Sequence, residues 1–202
     1  MQYFITGTDT DVGKTIAAAW LMLQLGASYW KPVQAGDEAE TDEQVVRRLT
    51  GLPDPYFWPS TYSLREPLSP HEAARREDAS IEMVHFKLPK TDDPLIVEGA
   101  GGLLVPLNNK ALVIDLIAQL GLPVILVARS GLGTINHTLL SLEALRRRNL
   151  DIAGVVLNGE RQNHNREAIE TYGDIPVVAE ITPLSPLTKA GLLGISPLID
   201  LK

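Results

Sequence analysis

The chain has 202 residues and a hydrophobic content of 45%, which is enough for one well-packed domain of ordinary size. Its formal net charge of −7 argues against a surface that binds nucleic acid or anionic lipid, and the absence of cysteine excludes disulfides, cysteine-ligated metals and thiol nucleophiles. Because it has neither a basic leader nor an apolar run near the ~20 residues of a membrane span, we expect a soluble, cytoplasmic protein that binds small molecules.

Short apolar runs rich in Val and Ile alternate with segments of helical period, a pattern typical of a parallel sheet with helices on both faces. The predicted strands are Gln2–Thr6, Ser28–Pro32, Leu95–Glu98, Val124–Ala128, Ile152–Leu157 and Val177–Ile181. The predicted helices are Gly13–Leu25, Thr41–Leu49, Leu112–Leu120, Thr134–Arg147 and Asn163–Tyr172. The sequence therefore predicts a single α/β domain over residues 1–202 with a mostly parallel sheet.

One region, Gly51–Lys90, breaks this alternation. It is rich in prolines and aromatic residues, and it is too long for a plain crossover between two strands. We expect two short helices within it, one that opens at Ser69 and one that opens at Ser80.

The residues between the first strand and the first helix, GTDTDVGKT from Gly7 to Thr15, have the layout of a phosphate-binding loop. Glycines free backbone N–H groups that, with the positive end of the helix, surround phosphate oxygens. Lys14 would reach the β- and γ-phosphates, and the Thr15 hydroxyl would ligate Mg²⁺. A tight turn that contains Gly-Lys-Thr by chance is the alternative, but the preceding strand and following helix favour a P-loop NTPase-like fold.

Two features distinguish this loop from the usual pattern. Five residues rather than four separate Gly7 from Gly13, and Asp9 and Asp11 place negative charge near the expected phosphates. Such charge is unfavourable beside a triphosphate unless it faces a cation or a cationic substrate. The aspartates therefore suggest an amine nearby.

A carboxylate stands at the end of the third predicted strand, where Leu95–Val97 runs into Glu98 and a glycine-rich turn. Nucleotide enzymes of the α/β class place an acid there that binds Mg²⁺ directly or through water. A strand-end glutamate beside a flexible turn is the alternative, and the phosphate-binding loop in the same sheet argues against it. We therefore predict that Glu98 binds a metal.

Two further residues reach the same edge of the sheet. Lys31 lies near the end of the second predicted strand, where it could neutralise charge that develops on a transferring phosphoryl group; a solvated lysine at a strand end is the alternative. Asp42 follows Thr41 at the start of a predicted helix, and the residues alone favour a helix-capping role for this pair.

Six strings in order make the chain resemble the dethiobiotin synthetases. They are GTDTDVGKT, KPVQAG, a Thr-Asp pair, LSPHEAA, VEGAGG and GLGTINH, with fainter matches at Leu157–Asn158 and Ala179–Leu184. The five-residue spacing within the loop is the one that this family uses. Ala35 departs from the family, which often carries Ser or Thr at that position.

The resemblance implies an ATP- and Mg²⁺-dependent ligase of biotin biosynthesis. In this family's reaction, one amine of 7,8-diaminopelargonic acid takes up CO₂ as a carbamate, which then receives the γ-phosphoryl group of ATP. The second amine attacks the mixed anhydride, closes the ureido ring of dethiobiotin and releases phosphate. An anionic carbamate that attacks an anionic phosphate needs concentrated positive charge but no protein nucleophile.

Residue by residue, the resemblance implies catalytic roles for Lys14 and Lys31 and a metal site of Thr15, Asp42 and Glu98. For Asp42 it thereby reverses the preference for a purely capping role. Asn158 is expected to contact the adenine edge. The whole implied nucleotide site comprises Asp11, Val12, Gly13, Lys14, Thr15, Ile16, Asp42, Glu98, Gly99, Ala100, Gly101, Asn158, Thr182, Pro183 and Leu184.

The resemblance also implies substrate contacts at Ala35 and at the start of a helix near residue 134. The residues at that start are Gly133, Thr134, Ile135 and Asn136, whose free N–H groups form an anion site. In the family this helix receives the substrate's carboxylate tail from the neighbouring subunit, which implies a homodimer. His137, in the same turn, is interpreted as structural, since substrate amines and phosphate oxygens can carry protons.

Three other classes of protein share parts of this pattern. A partitioning-type ATPase switch typically carries an additional lysine near the first glycine, where this chain has the segment Thr8–Asp11. A cobyrinate-type amidating synthetase needs a cysteine nucleophile in a glutaminase domain, and this chain has no cysteine. A nucleotide-binding module without chemistry would leave Lys31 and the substrate-side strings unexplained.

Overall fold

A parallel sheet forms the centre of the protein, which a computed structural model describes over residues 1–36 and 40–200. The strands are β1 (Gln2–Gly7), β2 (Ser28–Trp30), β3 (Val33–Ala35), β4 (Phe57–Trp58), β5 (Tyr62–Leu64), β6 (Leu95–Gly102), β7 (Val124–Arg129), β8 (Ile152–Asn158) and β9 (Val177–Ile181). Seven of them form one sheet in the order β4-β2-β6-β1-β7-β8-β9, and every neighbouring pair runs parallel. The remaining pair, β3 and β5, forms a separate parallel ribbon.

Helices cover both faces of the sheet. They are α1 (Lys14–Leu25), α2 (Asp42–Thr50), α3 (Pro70–Arg76), α4 (Val113–Leu120), α5 (Thr134–Arg147), α6 (Asn163–Gly173) and α7 (Lys189–Leu193). On β1, Ile5 packs in the core that contains Trp20 of α1, whereas its neighbour Phe4 packs in the core that contains Ile117 of α4. This alternation confirms the predicted α/β class and explains why the strands are apolar on both sides. None of the described helices is long and apolar enough to cross a membrane.

Most predicted elements are confirmed to within one residue. Helix α5 and strand β9 begin and end where the sequence predicts. Helices α1, α2 and α4 begin one residue late because Gly13, Thr41 and Leu112 are their caps. The predicted helix at Ser69 is α3, which Ser69 caps and Pro70 opens. That one domain covers residues 1–202 stays a prediction.

Three parts of the prediction are wrong. The second strand ends at Trp30 rather than Pro32, because the chain turns there to form β3, and β6 continues past Glu98 to Gly102. The helix predicted at Ser80 is only a 3₁₀ turn at Met83–His85. The N–H of Phe86 closes this turn on the carbonyl of Met83, and Gln119 Nε2 donates to the carbonyls of both Met83 and Phe86. The short strands β3, β4 and β5 and the helix α7 are not predicted by the sequence pattern.

Candidate active site

The loop between β1 and α1 forms the floor of the site. Its last residues, Gly13 and Lys14, pass directly into α1, and Asp11 and Gly13 both have positive φ angles, of 57° and 95°. Lys14 is only 7% exposed, and its Nζ donates a hydrogen bond to the carbonyl of Asp9 at 3.0 Å. The loop thus curves around its own lysine at the N-terminus of a helix, which is the geometry that binds phosphate.

Asn158, at the end of β8, supports this loop from the side. Its Nδ2 donates to the carbonyl of Val12 at 3.1 Å. A Cβ atom built on Gly13 would lie 2.1 Å from the same nitrogen. Glycine is therefore required at residue 13 both for its left-handed backbone and for the close approach of Asn158.

The variant Gly13→Ala tests this requirement. We expect it to unfold at a lower temperature, by a destabilisation of about 1–3 kcal/mol, and to bind ADP at least about tenfold more weakly, because the left-handed backbone is strained and Asn158 must move. Thermal denaturation and calorimetric titration with ADP measure the two effects. Gly131→Ala is the matched control, since a Cβ there meets no atom within 4 Å; equal behaviour of the two variants would contradict the argument.

Four polar side chains converge beside the loop. Lys31 Nζ lies 2.6 Å from Asp42 Oδ2 and 3.1 Å from Glu98 Oε1. The hydroxyl of Thr15, the residue after Lys14, lies 2.8 Å from Asp42 Oδ1 and 3.0 Å from Glu98 Oε1. Lys31 and Glu98 are 4% and 1% exposed, so this pair is withdrawn from bulk water, whereas Asp42 lies at the cleft side of the cluster and is partly exposed.

The sheet places Lys31 and Glu98 side by side. Tyr29 pairs with Ile96, and Trp30 pairs with Val97, so the residues that follow on β2 and β6 are level with each other. Asp42 comes from α2, where the side chain of Thr41 accepts the capping hydrogen bond from the N–H of Gln44. Because Thr41 performs the capping, the carboxylate of Asp42 is available to the cluster.

The charges in the cluster stabilise one another. Burial alone lowers the pKa of Lys31, but the charges of Glu98 and Asp42 outweigh it and raise that pKa above its ordinary value. Burial raises the pKa of Asp42, yet Lys31 and the Thr15 hydroxyl hold it below its usual range. For Lys14, burial lowers the pKa, against the opposing effect of Glu98. Lys31 and Asp42 are therefore a charged pair at neutral pH.

The donor set of the cluster fits Mg²⁺. It offers one hydroxyl and two carboxylates, all hard oxygen ligands, and the ammonium of Lys31 between the carboxylates demonstrates that they face a cation. The described residues contain no group of three or more acidic or histidine side chains that could hold a metal by themselves. Mg²⁺ is usually held by one or two carboxylates together with substrate phosphates.

A cleft of about 920 Å³ opens above the cluster. One side is the phosphate-binding loop, and the other is a wall to which β3, Gly36, Glu40 and Pro67–Pro70 contribute. Eleven residues proposed from the sequence line it: Asp11, Gly13, Lys14, Thr15, Ile16, Lys31, Ala35, Asp42, Glu98, Ala100 and Gly101. Val12 and Gly99 contribute backbone carbonyls, to Asn158 and Lys31 respectively.

The other predicted site residues lie outside this cleft. Thr182, Pro183 and Leu184 follow β9, two strands beyond β7 on the far side of the loop, and their adenine-binding role stays a prediction. The segment Gly133–Asn136 opens α5 after β7 and does not line the cleft within the described chain. Leu132, just before it, is 99% exposed.

Two residues that surround the cluster, Tyr29 and Gln34, are not predicted by the sequence pattern. Tyr29 donates a hydrogen bond from its hydroxyl to Glu98 Oε2 at 2.9 Å, and Gln34 Oε1 accepts one from the N–H of Asp42 at 3.3 Å. Burial, and then the charge of Glu98, raise the pKa of Tyr29 well above its ordinary value, so its hydroxyl keeps its proton. Tyr29 could have been found from the sequence, since it lies two residues before Lys31 and side chains alternate along a strand.

Known proteins resemble the chain in sequence over most of its length. A family model described as "AAA domain" matches residues 1–190. The "ATP-dependent dethiobiotin synthetase BioD" of Paramagnetospirillum magneticum is 54% identical over 96% of this chain and 94% of its own length. The protein of the same name from Lawsonia intracellularis is 44% identical over 100% of this chain and 98% of its own length. The "Biotin biosynthesis bifunctional protein BioCD" of Bordetella avium is 52% identical over 90% of this chain, which spans 39% of that larger protein.

Solved structures support the fold alone. Chloroplast FtsY from Physcomitrella patens matches with a TM-score of 0.53 and 18% identity, over 98% of this chain and 61% of that one. A ParA family ATPase from Chlorobium tepidum matches with a TM-score of 0.52 and 13% identity, over 95% and 87% of the two chains. On the sequence similarity over almost its whole length, the chain belongs to the dethiobiotin synthetase family.

Proposed function

We propose that the chain catalyses the ATP-dependent closure of the ureido ring of dethiobiotin from 7,8-diaminopelargonic acid and CO₂. Its place in the dethiobiotin synthetase family supports this activity. The observation that carries the proposal is Lys31, a second buried lysine in the cleft that already holds Lys14. A protein that only switched between nucleotide states would have no need of it.

In the proposed reaction, a carbamate oxygen forms a bond to the γ-phosphorus of ATP as the bond to the ADP oxygen breaks. The second amine then attacks the carbamoyl carbon, loses a proton and expels phosphate as the ring closes. Lys14 holds the phosphates from the loop, and Lys31 faces the same space from β2. Together they supply the positive charge that the meeting of two anions requires.

Thr15, Asp42 and Glu98 are the residues that would hold Mg²⁺. The bound ion would neutralise charge on the phosphates and help to orient them. Asp11 belongs to the loop and lines the cleft. Its carboxylate would attract the amino groups of the diamine and repel a phosphate. Ala35 lines the opposite wall and would contact the diamine without a hydroxyl group.

The proposal is tested by phosphate release from ATP in the presence of Mg²⁺ and bicarbonate, with and without diaminopelargonic acid. We expect release that depends on the diamine and an equal amount of dethiobiotin by mass spectrometry. Hydrolysis that is indifferent to the diamine, without a new product, would reject the synthetase activity and favour an ATPase switch.

We further propose a homodimer in which Gly133–Asn136 of one subunit binds the carboxylate tail of the diamine held by the other. The placement of this segment outside the cleft, next to the almost fully exposed Leu132, supports such an arrangement. Asn158 and Thr182–Leu184 would contact adenine on the other side of the loop, where Asn158 already lies against Gly13. We place the activity in the cytoplasm, where ATP is available.

The shared site predicts complementation between two impaired variants. Asn136→Asp places a negative charge in the exposed first turn of α5, and we expect it to raise the KM for the diamine at least about tenfold by repelling the carboxylate. At a diamine concentration below the wild-type KM, a mixture with the Lys14→Ala variant should be more active than either variant alone. Light scattering gives the oligomeric state, and a monomer, or mixtures no more active than the separate variants, would contradict the shared site.

A further inference from the structure

Tyr29 contacts the charged cluster from the core side of Glu98. Its side chain is fully buried, and its hydroxyl donates to Glu98 Oε2 at 2.9 Å. The other oxygen of that carboxylate, Oε1, is the one near Lys31 and Thr15, at 3.1 and 3.0 Å. The two oxygens of Glu98 therefore have separate partners, one in the core and one in the cleft.

The ring of Tyr29 is itself held in place. It packs at 60° against Phe57, with the ring centroids 6.1 Å apart, and the guanidinium of Arg47 lies 4.0 Å above the centre of the Phe57 ring. Arg47 belongs to α2, the helix that begins with Asp42. The hydroxyl of Tyr29 is thus a fixed donor rather than a mobile one.

A glutamate needs such a donor to present one oxygen reliably. Its side chain has three rotatable bonds, and a carboxylate that accepts no second hydrogen bond can turn to offer either oxygen. Groups that bond the rear of a metal-binding carboxylate typically change metal affinity or activity by about 10–100-fold when they are removed.

We propose that Tyr29 is a positioning residue that holds Oε2 of Glu98 so that Oε1 faces the cation in the cleft. The inference rests on the proposed function, because it takes Glu98 as a ligand of the Mg²⁺ that accompanies ATP. Tyr29 touches neither substrate nor metal, and it acts only through Glu98.

The variant Tyr29→Phe removes the hydroxyl and keeps the ring that packs on Phe57. We expect Mn²⁺, used as the probe in the presence of ADP and followed by electron paramagnetic resonance of the free ion, to bind about tenfold more weakly. The affinity for ADP in EDTA should stay within about twofold of wild type, since no nucleotide contact is lost. Tyr62→Phe is the control, because it also removes a hydrogen-bonded hydroxyl. Tyr62 lies on β5, and its hydroxyl is 2.6 Å from His85 Nδ1.

A double-mutant cycle separates positioning from packing. If Tyr29 acts through Glu98, Tyr29→Phe has no further effect on Mn²⁺ affinity in a Glu98→Gln background. The positioning role would be overturned if Tyr29→Phe left Mn²⁺ affinity unchanged, or if it lowered that affinity equally in the wild-type and Glu98→Gln backgrounds. The proposed function would still stand in either case. If wild type and Glu98→Gln bind Mn²⁺ equally with ADP, the proposed metal site itself fails and this inference fails with it.

Discussion

Replacement of Lys31 by alanine is expected to lower kcat by a factor on the order of 10²–10³ while ADP still binds. Lys31 lies outside the phosphate-binding loop, with its ammonium between Asp42 and Glu98 at 2.6 and 3.1 Å. From there it can stabilise charge that develops between carbamate and phosphate, but it contributes little to holding the nucleotide's first two phosphates. The effect should therefore fall on the chemical step.

The same replacement should also destabilise the fold in the absence of metal. Without the ammonium, Glu98 remains buried at 1% exposure and faces Asp42, a like charge. Removal of one partner from a buried ion pair costs about 3–5 kcal/mol, and we expect the lower end because Asp42 is 34% exposed. Millimolar Mg²⁺ with ADP should restore much of this loss, since a cation again separates the two carboxylates.

Single-turnover kinetics and thermal unfolding, each with and without Mg²⁺, measure these two expectations. Lys110→Ala is the control, because that lysine is exposed in the turn before α4. Normal turnover by the Lys31 variant would remove its catalytic role. A thermal shift with Mg²⁺ no larger than that of wild type would contradict the view that ammonium and metal neutralise the same carboxylates.

The central part of the fold could be predicted because its signals are local. Strands such as β9 are short apolar runs bounded by polar residues, and helices such as α5 begin and end at recognisable residues. The phosphate-binding loop is likewise a single continuous stretch between one strand and one helix. For these parts, the chain order alone places the loop at the carboxyl edge of the sheet.

The region between residues 51 and 90 could not be predicted in the same way. Strand β4 has only two residues, and it exists because it pairs with Tyr29 and Trp30 of β2. Strands β3 and β5, three residues each, pair with one another in a ribbon apart from the main sheet. Elements this short carry no periodic pattern, and partners distant in the sequence determine them.

The tertiary structure decides whether Asp42 caps a helix or belongs to the charged cluster. A Thr-Asp pair before a helix predicts capping, and the structure assigns the cap to Thr41, whose side chain and Gln44 form a reciprocal pair. Asp42 is then the first residue of α2, turned toward Thr15 and Lys31. Neither contact is visible in the sequence, because Thr15 and Lys31 belong to other elements of the chain, and Thr15 lies 27 positions before Asp42.

Replacement of Lys14 by alanine should produce a different pattern of loss. The only hydrogen bond of its ammonium among the described residues is to the carbonyl of Asp9, at 3.0 Å, within the loop that would hold the phosphates. We expect ATP to bind about 10–100-fold more weakly, as charge-assisted hydrogen bonds to phosphate are lost, and kcat to fall on the order of 10²–10³-fold. Stability should change little, because the freed carbonyl of Asp9 faces the open loop rather than a buried acid.

The contrast between the two lysines is the stronger test of the site. Calorimetric titration with ADP should separate them: Lys14→Ala loses affinity, whereas Lys31→Ala and the exposed control Lys87→Ala retain it. Thermal unfolding without metal should separate them in the opposite sense, since Lys31 forms direct ion pairs with Asp42 and Glu98, whereas the ammonium of Lys14 bonds to a backbone carbonyl. If both variants lost ADP affinity and stability alike, the division between a lysine that binds phosphate and a lysine that serves the reacting groups would be wrong, and the cluster would act as one structural unit.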